Sequence, residues 1–334
     1  MAVYTAIDDP EAYFQVKLYA GDSTNHAITF DGDTDMQPDA VWIKETDDTI
    51  NHYLYDSVRG VAGRLQVNIN NASSATDSTW FQSFDSDGFS IGSEDNINDT
   101  GDNYVAWCWK ESATAGFDIL TFEGNATDDT DISHNLSAVP HFMIVRNFDA
   151  AKEWVVYHHK NTSAPETDQL VLDTNAATAD SDDKWSDEVP TSSVFTVGDS
   201  SQLNASGETS IAYLWSEKQG FSKFGTYTGN GAADGTFVFC GFRPSYVLGK
   251  RTSATENWFV FDTKRNPFNP SRKYLYPDGN NAESNSGDRV DILSNGVKFT
   301  TTSAQLNGDG STYIYVAFAE APFVNSNGVP CNAR

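Results

Sequence analysis

One set of landmarks occurs three times in this chain in the same order, and that repetition constrains the fold more than any single motif. "PDAVWIK" at 38–44 returns as "PHFMIVR" at 140–146 and as "PSYVLGK" at 244–250. Each is followed by a short aromatic run: "HYLYD" at 52–56, "WVVYH" at 154–158 and "WFVFD" at 258–262. The closing segments align without a gap as "NDTGDNYVAWCWKE" from Asn98, "NASGETSIAYLWSE" from Asn204 and "NGDGSTYIYVAFAE" from Asn307. The openings match more loosely, Phe14 leading to Gly21, Phe117 to Gly124 and Phe221 to Gly229.

Clusters of Gly, Asn, Asp, Ser and Thr separate short runs of Val, Ile, Phe, Tyr and Trp at roughly 8–12-residue intervals, and no long helical period appears. The expected fold is therefore all-β: three tandem antiparallel β-sandwich domains of jelly-roll or concanavalin-like form. The landmarks divide the chain into an N-terminal arm at 1–12, repeats at 13–112, 113–219 and 220–323, and a C-terminal tail at 324–334. Each repeat exceeds the roughly 20–50 residues of a solenoid unit, which predicts that it closes its own core instead of lending a face to a neighbour. The joints "SATAG" and "KQG" are too short for free tumbling, so a short rod or a compact trimer of units follows.

The repeats act as controls on one another. In "YVAWCWKES" a thiol sits between two indoles beside a charge pair, which suggests chemistry at first sight. On a strand, Val105, Trp107, Trp109 and Glu111 share one face, and Tyr104, Ala106, Cys108 and Lys110 the other. The first face becomes Ile211, Tyr213, Trp215 and Glu217 in the second repeat, and Ile314, Val316, Phe318 and Glu320 in the third. Cys108 aligns with Leu214 and Ala317, so it reads as a hydrophobe, and Trp107 and Trp109 are expected to be buried on one side. Three copies of one glutamate fit a strand end better than a glycosidase acid.

The other candidates are weighed the same way. Asp56 and Arg59 recur as Asp262 and Arg265 but become His158 and Asn161 in the second repeat, a joint loss that predicts contact between the two charges. Asp31, Asp33 and Asp35 alternate like the start of a calcium loop, but the loop's glycine and glutamate are missing and no other repeat has the triplet, so a solvated acidic turn is expected. Adjacent His158 and His159 should face opposite sides of their strand and not share a metal. The three cysteines share no metal-type spacing, and no phosphate loop, nucleophile elbow or zinc-helix motif is present. The expectation is a non-enzymatic chain with no catalytic residue, cofactor or metal.

A net charge of −26 disfavours nucleic acid and anionic lipid. No apolar run approaches the roughly 18 residues of a membrane span, the first residues lack the zones of a secretion signal, and folding in a reducing cytoplasm is expected. The charge is unevenly shared, at −15, −13 and +1 for repeats one to three with the arm and joints included. Lys264, Arg265, Arg272 and Lys273 concentrate the bases of the third repeat and are the candidate docking residues for an acidic neighbour, either another subunit or a larger assembly.

"MQPDAVWIK", "YDSVRG", "FDSDGFSIG" and "YVAWCWK" resemble a repeated domain of tailed-bacteriophage virion structural proteins. "YTGNG", "GFRPSYVLGKRT", "DILSNGVKFTT" and "TYIYVAFAEAPF" resemble another version of it, and the second repeat departs most from the pattern. The resemblance implies a virion component assembled in the host bacterial cytoplasm, foremost a tail-fibre or tail-associated adhesin. A head decoration or connector protein is the alternative, and a polysaccharide depolymerase a weaker one. It further implies other virion proteins and host surface glycan as partners, and a homo-oligomer, with the trimer of many fibre proteins as the reference form. The matched motifs belong to the framework and carry no active site.

Overall fold

The computed structural model describes residues 4–331. Within them the chain is all-β, with three one-turn helices, α1 (Asp95–Asn98), α2 (Asp182–Trp185) and α3 (Ala304–Asn307). The first unit contains β1 (Phe14–Ala20), β2 (His26–Thr29), β3 (Ala40–Glu45), β4 (Tyr53–Asp56), β5 (Gly63–Gln66), β6 (Ser74–Ala75), β7 (Phe81–Asp85), β8 (Gly88–Ile91) and β9 (Asn103–Trp109). These make an inner sheet ordered β1-β9-β3-β4-β5-β6 and an outer sheet ordered β2-β8-β7.

The second unit contains β10 (Phe117–Glu123), β11 (Thr130–Ser133), β12 (Phe142–Asn147), β13 (Val155–His158), β14 (Asp168–Val171), β15 (Ala179–Asp180), β16 (Val194–Val197) and β17 (Thr209–Trp215). Its inner sheet repeats the same order as β10-β17-β12-β13-β14-β15, and its outer sheet is β11-β16. The third unit contains β18 (Ser222–Thr228), β19 (Phe237–Phe239), β20 (Phe242–Arg251), β21 (Phe259–Asp262), β22 (Ser271–Tyr274), β23 (Ser284–Leu293), β24 (Gly296–Phe299) and β25 (Thr312–Pro322). Here the sheets are evenly split, β18-β25-β20-β21 inside and β19-β24-β23-β22 outside. In each unit the first strand pairs with the last and the second with the last but one, and in the first two units the middle strands extend the inner sheet.

Both faces of every inner sheet are apolar, and they have different partners. In the first unit Tyr104, Ala106 and Cys108 meet Ile28, Phe81, Phe89 and Ile91 of the outer sheet. Met143, Val145, Ala212 and Leu214 meet Ile132 and Phe195 in the second. The opposite faces, Trp42, Trp107 and Trp109, Phe142, Ile144 and Trp215, and Tyr246, Leu248 and Phe318, join in one cluster contributed by all three units. Trp109 stands edge-on to Trp215 at 6.1 Å and to Phe318 at 5.8 Å, and a void of only about 30 Å³ remains among the three sheets. This corrects the expectation of self-contained cores: the first two units each close an outer core and lend their inner face to a shared centre, and the third unit's core between its two sheets is continuous with that centre. Trp107 and Trp109 are both buried there, on one side of β9 as the alternation predicts.

The repeated landmarks build this frame. Asn98, Asn204 and Asn307 are fully buried, and their Oδ1 atoms accept the backbone N–H groups of Asp22, Asn125 and Asn230 at 2.8–3.0 Å. Each Nδ2 then donates to loop carbonyls, Gly92 and Thr24, Gly198 and Thr127, or Thr301 and Ala232. Those bonds tie the end of the first strand to the start of the last. A Cβ at Gly21, Gly124 or Gly229 would lie 2.0, 2.3 and 2.3 Å from the carbonyl oxygens of Asp99, Ala205 and Gly308, so the tie requires glycine. The arm is built in as well: Ile7 enters the shared centre, and Ala6 N–H donates to Gln219 O. Residues 1–3 of the arm and 332–334 of the tail lie outside the described residues.

Candidate functional site

Three seams join the units in a closed ring, and their polar groups decide which side chains remain for partners. At the first seam Arg146 Nη2 donates to the carbonyls of Asn70 and Asn71, and Trp154 Nε1 to that of Gln66. At the second, Lys250 Nζ donates to Asn175 O and Trp258 Nε1 to Val171 O. The third has a backbone bond from Glu283 N–H to Thr46 O and puts His52 where the other units have tryptophan. Lys44, Arg146 and Lys250, the base that ends each "P…K/R" landmark, are all fully buried. Burial pushes Lys44 and Lys250 down to about 8.

The Asp–Arg contact holds, with an added partner across each seam. Arg59 Nε donates to Asp56 Oδ2 at 2.7 Å and Arg265 Nε to Asp262 Oδ2 at 2.5 Å, with Asp56, Asp262 and Arg265 buried and little of the Arg59 side chain exposed. The same Asp56 oxygen accepts Tyr213 O–H from the second unit at 2.7 Å, and Asp262 Oδ2 accepts Trp107 Nε1–H from the first at 3.1 Å. The third unit has Val316 in place of Tyr213 and Trp107, which offers no donor to a carboxylate. The second unit accordingly has His158 there, whose Nε2 lies 3.2 Å from Tyr315 O. Burial, with His159 beside it, holds His158 down to about 3. The joint loss of both charges thus tracks the neighbour as well as the pair.

Between the first and third units lies an open cleft of about 720 Å³. Leu18, Thr46, Asp47 and Asn103 form one wall, and Lys264, Arg265, Pro267, Lys273 and Glu283 the other. Three of the four candidate docking residues therefore come together here. Arg265 is buried against Asp262 and Glu283, Lys273 Nζ meets Glu283 at 3.0 Å, and Lys264 Nζ meets Asp31 of the first unit at 3.1 Å. Arg272 lies on the exposed surface of β22, apart from the cleft lining. Lys264 and Lys273 keep 39% and 44% of their side chains exposed, which leaves two ammonium groups facing a polar, solvent-open space. Such a cleft can hold a hydrated polar ligand or a protein loop. Its lining contains no cysteine, serine or histidine nucleophile.

The remaining candidates serve local structure. Glu217 meets Lys223 at 2.6 Å and Glu320 meets Arg243 at 3.0 Å, while burial and Asp118 raise Glu111 to about 7. Burial pushes the Cys108 thiol well up, as a packed hydrophobe requires. Asp31 is engaged by Lys264 and Lys17, and no cluster of three or more His, Cys, Asp and Glu arranged for a metal occurs among the described residues. His158 and His159 point to separate carbonyls, those of Tyr315 and Phe224. No described helix is long and apolar enough to cross a membrane. The cleft itself was hidden from sequence reasoning because its walls are more than 150 residues apart along the chain; the charge change in the third repeat was its only signal. The model of a family described as "Domain of unknown function (DUF7483)" matches residues 9–322. No curated protein matches the chain.

Proposed function

The chain belongs to that family over residues 9–322, and from the resemblance of its repeated motifs to virion structural proteins we propose that it is a non-enzymatic structural protein of a tailed-bacteriophage virion, foremost a tail-fibre or tail-associated adhesin. Each unit is read as a jelly-roll or concanavalin-like sandwich in one rigid body, which presents its unrepeated loops to host surface glycan or to other virion proteins. One observation carries the reading. The polar residues that repeat, the asparagine ties and the seam carboxylates, are consumed in holding the frame, which leaves divergent loops and the first–third cleft for recognition.

Docking on the head or tail as a decoration or connector is the second reading, favoured by the near-neutral third unit beside two strongly acidic ones. Fluorescently labelled full chain and antibody-labelled virions separate the two. Staining of host cells together with label at the tail tip supports the adhesin. Regular label over the head without cell staining replaces it with decoration, and release of reducing sugar from host polysaccharide would overturn the non-enzymatic reading.

A further inference from the structure

All three exposed phenylalanines among the described residues lie in the third unit: Phe237 at 44%, Phe239 at 58% and Phe268 at 81%. Phe237 and Phe239 flank the buried Val238 on β19, an edge strand paired only with β24. The matched edge strands of the other units have Ala27 and Thr29 around Ile28, and Asp131 and Ser133 around Ile132. A charge such as Asp131 is what blunts an open edge. Here it is replaced by aromatic surface.

The ladder fixes which backbone groups are open. Phe299 N–H donates to Thr236 O, and Cys240 N–H to Asn295 O, so residues 236, 238 and 240 face β24. By the antiparallel alternation Phe237 and Phe239 turn their amides to the open side. Tyr315 O–H approaches Phe239 O only at a long 3.4 Å.

We propose that a second copy of this chain docks on this edge, β19 pairing antiparallel with its own counterpart about a twofold axis through Val238. The sequence Phe-Val-Phe is self-complementary about that axis. Phe237 of each copy stands opposite Phe239 of the other, each couple exchanging two backbone hydrogen bonds, and the two outer sheets become one eight-stranded sheet. The opposed rings, on backbones about 5.5 Å apart, cover one another on the outer face. Charge selects this unit for the contact: copies with a net charge of −26 repel through units of −15 and −13, but not through one of +1. Beside Phe237 the exposed charges also cancel, with Lys298 held by Asp234.

Sedimentation velocity of the full chain over about 1–200 µM tests this, compared with the double variant Phe237→Lys/Phe239→Lys. The expected result is a concentration-dependent dimer in the parent and at least tenfold weaker association in the variant, with both melting at similar temperature because the replaced rings are exposed. A cross-link supplies the register. In a Cys331→Ser background, Phe237→Cys mixed with Phe239→Cys should oxidise to the mixed dimer and neither should do so alone. A parent that stays monomeric throughout, a dimer indifferent to the double variant, or like-with-like cross-linking would each overturn the proposal.

Discussion

At the scale of single residues, the seams depend on carboxylates that serve two units at once. Asp262 holds Arg265 within the third unit and accepts the indole N–H of Trp107 from the first, all three being buried. Asp262→Ala should cost about 1–3 kcal/mol in a denaturant melt, because it removes the acceptor of two buried donors, Arg265 Nε and Trp107 Nε1, while Glu283 still pairs with the guanidinium. A double-mutant cycle of Asp262→Asn with Trp107→Phe should show coupling of about 1–2 kcal/mol, whereas additivity would mean the cross-seam bond contributes nothing. Glu111 gives a pH signature. Burial and the neighbouring Asp118 raise it to about 7 from an ordinary 4.5, so the folded chain holds this proton more tightly than the unfolded one. The associated stabilisation is complete below the ordinary glutamate range and is lost as pH rises to about 7. Glu111→Gln should therefore flatten the fall in melting temperature between about pH 5 and pH 8, and an unchanged slope would locate that titration elsewhere. The contact between Asp56 and Arg59 was legible from their joint loss in the second repeat. Their tie to Tyr213 was not, since nothing local announces which strand of a neighbouring unit will arrive.

At the scale of elements, the closing strands show both what a sequence tells and how it is misread. The face assignment of Val105, Trp107 and Trp109 against Tyr104, Ala106 and Cys108 is reproduced by the packing. Yet an edge-facing sandwich strand should alternate apolar with polar, and "YVAWCW" does not. Continuous apolarity is the mark of a strand covered on both faces, and β9 is covered by the outer sheet on one side and by the shared centre on the other. Expecting self-contained cores gave repeat length more weight than this pattern. The asparagine and glycine landmarks were visible as letters, but their role as ties appears only once the first and last strands are neighbours. Asn204→Ala removes three side-chain bonds in a buried turn and leaves the N–H of Asn125 without its acceptor. It should lower stability by about 2–3 kcal/mol. Hydrogen exchange should show the loss spreading to β10 and β17 if the tie works as described, and staying within the turn if it does not.

At the scale of the whole molecule, the three units differ most where they face outward. Their inner sheets converge on one aromatic cluster, while their loops, charges and edge strands diverge, so the frame is common and recognition is local. Ring closure brings Lys264, Arg265 and Lys273 against the first unit and makes a cleft that no single repeat contains. Part of the acidic neighbour expected for the basic cluster thus lies within the chain, at Asp31. The central claim is that the three units fold around one core and stand or fall together. Differential scanning calorimetry of the full chain is its most direct test. A single transition whose calorimetric and van 't Hoff enthalpies agree is the predicted result. Three resolved transitions, or an isolated 13–112 fragment melting at its temperature in the full chain, would contradict a shared core.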